Sequence, residues 1–89
     1  MNSILINEKD NVATAMVDLT QGDVGRYLVR GEIVEVVITE AIPRYHKFAA
    51  CDIGKNEWVL KYGEVIGRAI FDIDKGSHVH VHNIASAGR

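Results

Sequence analysis

Glu32-Ile33-Val34-Glu35-Val36-Val37-Ile38-Thr39-Glu40 (EIVEVVITE) is the stretch that decides the fold class. Six of its nine residues are β-branched and none is Gly or Pro, the composition of a strand rather than a helix. The only proline, Pro43, ends it. Upstream, Gly22–Gly31 (GDVGRYLVRG) carries three glycines and reads as a long hairpin or a mobile loop.

The same pattern repeats outward in both directions. Ser3–Ile6 reads as an edge or first strand. Asn11–Leu19 (NVATAMVDL) alternates like a strand, although Ala13, Ala15 and Met16 also allow a helical turn or two. Lys47–Ile53, Glu57–Lys61 and Glu64–Asp72 follow, with Gly67 inside the last marking a bulge or a close backbone approach. His78–Ile84 (HVHVHNI) alternates strictly and reads as a final strand, with Val79 and Val81 facing the core. Three turns share one form: Asp18-Leu19-x-x-Gly22, Asp52-Ile53-x-x-Asn56 and Asp72-Ile73-x-x-Gly76. In each, the Asp carboxylate is placed to cap backbone N–H groups, the aliphatic residue plugs the core, and Gly or Asn takes φ > 0. These readings predict a small all-β domain over residues 1–89, with short turns and at most one short helix.

Composition narrows the function. The net charge of −2 gives no reason to expect nucleic acid or an anionic membrane as partner. No apolar run is long enough for a signal peptide or a bilayer span. One cysteine, Cys51, excludes an internal disulfide and fits a reducing, cytoplasmic setting. Its apolar neighbours predict a buried thiol, and Trp58 and Phe71 are expected in the core.

Chemistry-bearing residues gather in three places. On one strand face, His78, His80 and His82 point the same way, with Cα atoms of adjacent members roughly 6.5–7 Å apart, so two imidazoles reach one divalent metal. A fourth ligand within the chain is not evident. Lys61-Tyr62-Gly63 combines a cation, a phenol and a glycine. Those groups bind a carboxylate and donate a proton, but the same residues also make a hairpin turn with an exposed Lys and a packed Tyr. Arg44-Tyr45-His46-Lys47, just after Pro43, suits an acidic substrate or is a solvated basic loop. Asp10-Asn11 reads as a turn.

Taken in order, Asp10-Asn11-Val12-Ala13, Asp18-Leu19-x-x-Gly22, His46-Lys47-Phe48-Ala49, Asp52-Ile53, Lys61-Tyr62-Gly63-x-x-Ile66-Gly67-x-Ala69 and Gly76-x-His78-Val79-His80-x-His82-Asn83 resemble the SAF domain of the altronate/galactarate dehydratase family. The likeness covers nearly the whole chain. It implies the β-clip fold. It also implies a part of a hydro-lyase that acts on sugar acids by β-elimination together with a large catalytic subunit, this chain being inactive alone. An 89-residue chain ending soon after the His-Asn element looks like the separate small-subunit form. The small subunit of (2R)-sulfolactate sulfo-lyase is similar, so a sulfonated hydroxy acid is the alternative substrate.

The resemblance further implies a divalent, iron-type metal held mainly by the partner chain, with His78, His80 and His82 sharing it. His46, Lys61, Tyr62 and His80 become the candidate catalytic groups, and Lys47, Asn83 and Arg44 the candidate substrate-binding ones. The chain departs from the family pattern at Asn7, where relatives often carry His, and at Tyr45, where they usually carry Gly. A non-catalytic module for sugar acids and a purely structural subunit are the other function classes, and an isolated chain is expected to self-associate through edge strands meant for its partner.

Overall fold

The computed structural model describes residues 1–86, and among them there are nine strands and no helix. The strands are β1 (Ser3–Ile4), β2 (Val12–Ala15), β3 (Val24–Val29), β4 (Glu32–Val37), β5 (Lys47–Ala49), β6 (Trp58–Lys61), β7 (Glu64–Ala69), β8 (His78–Val79) and β9 (Ile84–Ser86). They form three antiparallel sheets with orders β1-β2-β5-β8, β3-β4 and β6-β7-β9. The all-β expectation holds; the strands read from the sequence are shorter than their patterns suggested, and β9 is a further strand that the pattern did not show.

The four-stranded sheet is the centre, because both of its faces are buried. Ala13 pairs with Phe48, and both pack into a core with Leu19, Tyr27, Val36, Ile38 and Ile42 under the β3–β4 hairpin. Val12 pairs with Ala49 on the opposite face, where they meet Val79, Ile53, Val59, Ala69 and Ile73 under the third sheet. Small residues dominate β2 for this reason: covering sheets approach it from both sides.

The Asp-aliphatic turns behave as their chemistry demands. Leu19, Ile53 and Ile73 are buried, and Gly22, Asn56 and Gly76 all have positive φ. The carboxylates cap the facing turn rather than their own: Asp52 Oδ1 accepts from Lys75 N and Asp72 Oδ1 from Lys55 N. A fourth turn of the same form is Ala41-Ile42-Pro43-Arg44-Tyr45, with Ile42 fully buried and Tyr45 at φ 70°. It pairs with the first turn through reciprocal Leu19–Ile42 backbone bonds, as Ile53 pairs with Ile73, and Arg44 N donates to Asp18 Oδ1. All four turns carry the same inner bond, from Asp23 N to Thr20 O, His46 N to Pro43 O, Glu57 N to Gly54 O and Ser77 N to Asp74 O. Each turn pair brackets one hairpin and delivers the chain into β5 or β8, which lie side by side. That arrangement sets His46 next to His78.

Gly22–Gly31 resolves into β3 and a two-residue turn, Arg30-Gly31, with both residues at positive φ, the turn whose twist matches a hairpin. Gly67 meets both expectations at once. Val59 pairs with Gly67 and Leu60 with Val65, leaving Ile66 as a bulge, and a Cβ on Gly67 would lie 2.5 Å from Ala85 O of β9.

Three sequence-based expectations are corrected. Cys51 is exposed, and so are Trp58 and Phe71. Along β6 the buried position belongs to Val59, so its neighbour Trp58 faces out by strand alternation. The histidine segment is not one strand. After His78–Val79 the chain turns, because the buried Asn83 side chain accepts from His80 N (3.0 Å) and donates to His78 O (2.7 Å). An Asn bonding backbone three residues away competes with the sheet ladder, and it wins here. Val81 is therefore 78% exposed at the tip of the turn instead of in the core.

Candidate active site

Pairing of β5 with β8 is what builds the site. Lys47 lies opposite Val79 and Phe48 opposite His78, so the residue before β5, His46, meets the residues at both ends of Val79. His46 Nδ1 lies 2.9 Å from His78 Nε2, one ring donating and the other accepting. The His46 ring stacks on His80 with centroids 4.5 Å apart and on His78 at 5.1 Å. One ring nitrogen from each of His46, His78 and His80 falls within 4.8 Å of the others. The three-imidazole group thus differs from the expected His78, His80 and His82. His82 lies exposed in the turn itself, its ring 5.3 Å from that of His78, and His46 takes its place. Only strand pairing brings in His46, 32 residues away from His78, and no local spacing signals it.

The electrostatics favour the neutral form at His78 and His80. Burial, then the facing His46, His82 and His80, hold His78 below the usual histidine range, against a small opposing effect of Glu40. Desolvation, then His46 and Lys47, do the same to His80. Lys47, half-buried on β5, is lowered by burial and next by the positive charge of Lys61. Lys47, Lys61 and His80 therefore share one electropositive neighbourhood. Neither lysine is in an ion pair among the described residues.

The pH dependence follows with a defined sign. His78 takes up a proton less readily folded than unfolded, so the unfolded chain binds more protons below the ordinary value of 6.5. Stability is full above 6.5 and falls as the pH drops through 6.5 and below. Thermal melts between pH 8 and pH 5 should show the decline, and His78→Gln should reduce it, the remainder coming from His80. A melting temperature indifferent to pH across that window would contradict neutral rings.

Lys61 and Tyr62 sit where β6 turns into β7. Tyr62 and Gly63 both have positive φ (58° and 76°), and the turn is held from below by Asp10. The buried Asp10 carboxylate accepts from Tyr62 N (2.9 Å), Gly63 N (2.8 Å) and Asn7 N (3.1 Å). Asn11 extends the clamp, accepting from Leu60 N and donating to Trp58 O. The Asp10-Asn11 pair is thus a fastener between the first loop and this hairpin. Asp10→Ala leaves up to three backbone donors without their acceptor and should cost about 2–3 kcal/mol. Asp10→Asn, which keeps one acceptor oxygen, should cost less, and urea unfolding reads both.

Tyr62 is not packed, being 57% exposed, with Lys61 Nζ 4.8 Å from its ring centroid. Arg44 is exposed and stacks in the same way on Tyr45, at 4.7 Å. The Asn83 amide is engaged with the backbone of His78 and His80 rather than with an imidazole, so it shapes the turn that carries them. Asn7 packs against the glycine of the hairpin, where a Cβ on Gly63 would lie 2.7 Å from Asn7 Nδ2. Cys51 stands apart, and desolvation, with the carboxylates of Asp52 and Glu57, pushes its thiol up, away from the reactive thiolate.

Comparison with known sequences matches residues 1–87 to the SAF domain of altronate/galactarate dehydratase. The chain belongs to that family. This SAF domain is 43% identical to altronate dehydratase of Escherichia coli over 83 residues, which is 93% of the chain and 16% of the relative. It is 41% identical to altronate dehydratase of Bacillus subtilis over 80 residues, 90% of the chain and 15% of that protein. Against the alpha subunit of (2R)-sulfolactate sulfo-lyase from Chromohalobacter salexigens it is 47% identical over 47 residues, 53% of the chain and 50% of the subunit. The SAF domain thus spans about one sixth of the length of the dehydratases it matches. Its relatives are domains or subunits of larger lyases, and no helix of the described residues is long and apolar enough to cross a membrane.

Proposed function

We propose that this SAF domain is the small subunit of a lyase that performs β-elimination on a sugar acid of the altronate or galactarate type, working with a separate large catalytic subunit. The observation that carries the reading is the convergence of His46, His78 and His80 beside Lys47 and Lys61.

β-Elimination removes the proton α to a carboxylate, spreads charge onto that carboxylate and protonates the leaving group. Lys47 and Lys61 pair with the substrate carboxylate and stabilise the charge that develops on it. A neutral imidazole of the cluster accepts or returns a proton, and the facing ring nitrogens of His46 and His78 give that proton a route between rings.

The donor set also suits a divalent metal. Imidazoles are ligands for iron, zinc or manganese, and one ring nitrogen from each of the three histidines lies within 4.8 Å of the others, close enough for small ring movements to bring them onto one ion. His46, His78 and His80 would hold it, and the large subunit would supply the remaining ligands. Such an ion supplies Lewis-acid polarisation of the carboxylate and hydroxyl. (2R)-Sulfolactate is the second substrate we retain, because the alpha subunit of its lyase is half covered by this chain.

The test is a pull-down of the tagged chain from its own cells, followed by assay of the complex on altronate, galactarate and sulfolactate. A large partner whose elimination activity disappears without this chain supports the reading. A sugar acid bound by the chain with no partner recovered replaces it with a binding module.

A further inference from the structure

Among the described residues, four other than glycine have positive φ: Arg30, Tyr45, Asn56 and Tyr62. Asn tolerates this backbone conformation, but for a bulky aromatic it is an outlier. In a left-handed residue the Cβ crowds the following carbonyl oxygen, which strains the backbone. In the three other matching turns the equivalent positions are Gly22, Asn56 and Gly76, and only the turn that leads into His46 carries a tyrosine. Neither tyrosine is repaid by burial, since Tyr45 is 58% and Tyr62 57% exposed. Folding therefore gives no reason for either ring.

Both rings have one contact in common: each carries the cation of the residue directly before it. Lys61 Nζ stands 4.8 Å from the Tyr62 centroid and the Arg44 guanidinium 4.7 Å from that of Tyr45. A ring face attracts and orients a cation at that distance. Both pairs adjoin site residues. Tyr45 immediately precedes His46, and the charge of Lys61 acts on Lys47, which in turn acts on His80. Strained, exposed residues that cluster at a site point to function.

We propose that Tyr62 and Tyr45 are positioning residues that hold the cations of Lys61 and Arg44 at the margin of the histidine cluster, presetting them for the anionic groups of an acid substrate. The inference rests on the acid-binding role proposed above and names the residues that set its geometry. Preorganised cations bind a carboxylate without first losing their rotamer freedom. The phenol hydroxyl has no part in this, so phenylalanine should serve as well as tyrosine, and glycine, the residue the backbone prefers, should not.

The experiment is an NMR titration of the full chain with sodium galactarate, alongside thermal melts, for wild type, Tyr62→Phe, Tyr62→Gly and Tyr45→Gly. The expected result is affinity retained within twofold by Tyr62→Phe and weakened at least fivefold by each glycine variant, with no loss of melting temperature. A purely structural tyrosine would give glycine variants that bind as well as wild type, and that result overturns the inference while leaving the acid-binding role intact. Affinity lost equally in Tyr62→Phe overturns it in favour of the hydroxyl. If wild type shows no shifts of its histidine or lysine resonances, the acid-binding role itself falls and the positioning role with it.

Discussion

His78→Ala should lower turnover of the reconstituted lyase by about 10²–10⁴-fold, the range for loss of a positioned acid–base group. Of the four histidines, His78 is the most firmly placed. Its ring nitrogen meets His46 at 2.9 Å, its amide donates to Glu40 Oε2, and its carbonyl accepts from Asn83 Nδ2. Removing the imidazole takes away one of three convergent nitrogens and leaves His46 Nδ1 without its partner. Divalent metal affinity of the isolated chain should fall in parallel, read by competition with a chromogenic chelator. His82→Ala is the internal comparison. Its ring lies outside the three-nitrogen group, so its effect on turnover should stay below about tenfold, the lower bound for a group that acts through a first ligand. Equal losses at His78 and His82 would restore the strand-face picture of His78, His80 and His82 acting together.

That comparison also shows how much of the site the sequence could disclose. Local rules read the Lys61-Tyr62-Gly63 hairpin, the Gly67 bulge and the plugs Leu19, Ile53 and Ile73, because each depends on one residue's φ preference or one aliphatic position. The fourth turn has no local signature, because Ala41 stands where the others have Asp, and Tyr45 where they have Gly or Asn. Its geometry is imposed by the reciprocal bonds between Leu19 and Ile42, which only the fold supplies.

HVHVHN alternates as a strand does, and nothing in its period distinguishes a strand from a two-residue strand followed by a turn. The deciding interaction, Asn83 to His80 N and His78 O, lies in an Asn that the pattern treats as one more polar position. His46 belongs to the cluster through β5–β8 pairing, a non-local contact. The family motifs place His46 and His78 in separate blocks, and only the sheet joins them.

The same pairing connects the site to the core. Phe48 lies on one sheet face with its cross-strand neighbours Ala13 and His78, and its ring is fully buried. The β3–β4 hairpin closes over it so tightly that a Cβ on Gly25 would come within 2.7 Å of Phe48 Cζ, and Tyr27 packs on it at 6.3 Å between centroids. Phe48→Ala should therefore cost about 3–5 kcal/mol, the transfer free energy of the ring plus the cavity it leaves. A small domain has about 5–15 kcal/mol in total, so the variant should lose a large share of its stability. Phe48→Leu, which refills most of the cavity, should cost clearly less.

Urea unfolding followed by far-ultraviolet circular dichroism measures both, since the exposed Trp58 indole changes environment little on unfolding. Because His78 is the cross-strand neighbour of Phe48, the leucine variant carries a second expectation. The variant should stay folded yet bind divalent metal more weakly than wild type, as the floor under His78 loosens. A Phe48→Ala cost below about 1 kcal/mol, well under the range for a buried aromatic, would mean that the hairpin relaxes onto β5. In that event the central sheet would not be the rigid support on which His46 and His78 are aligned.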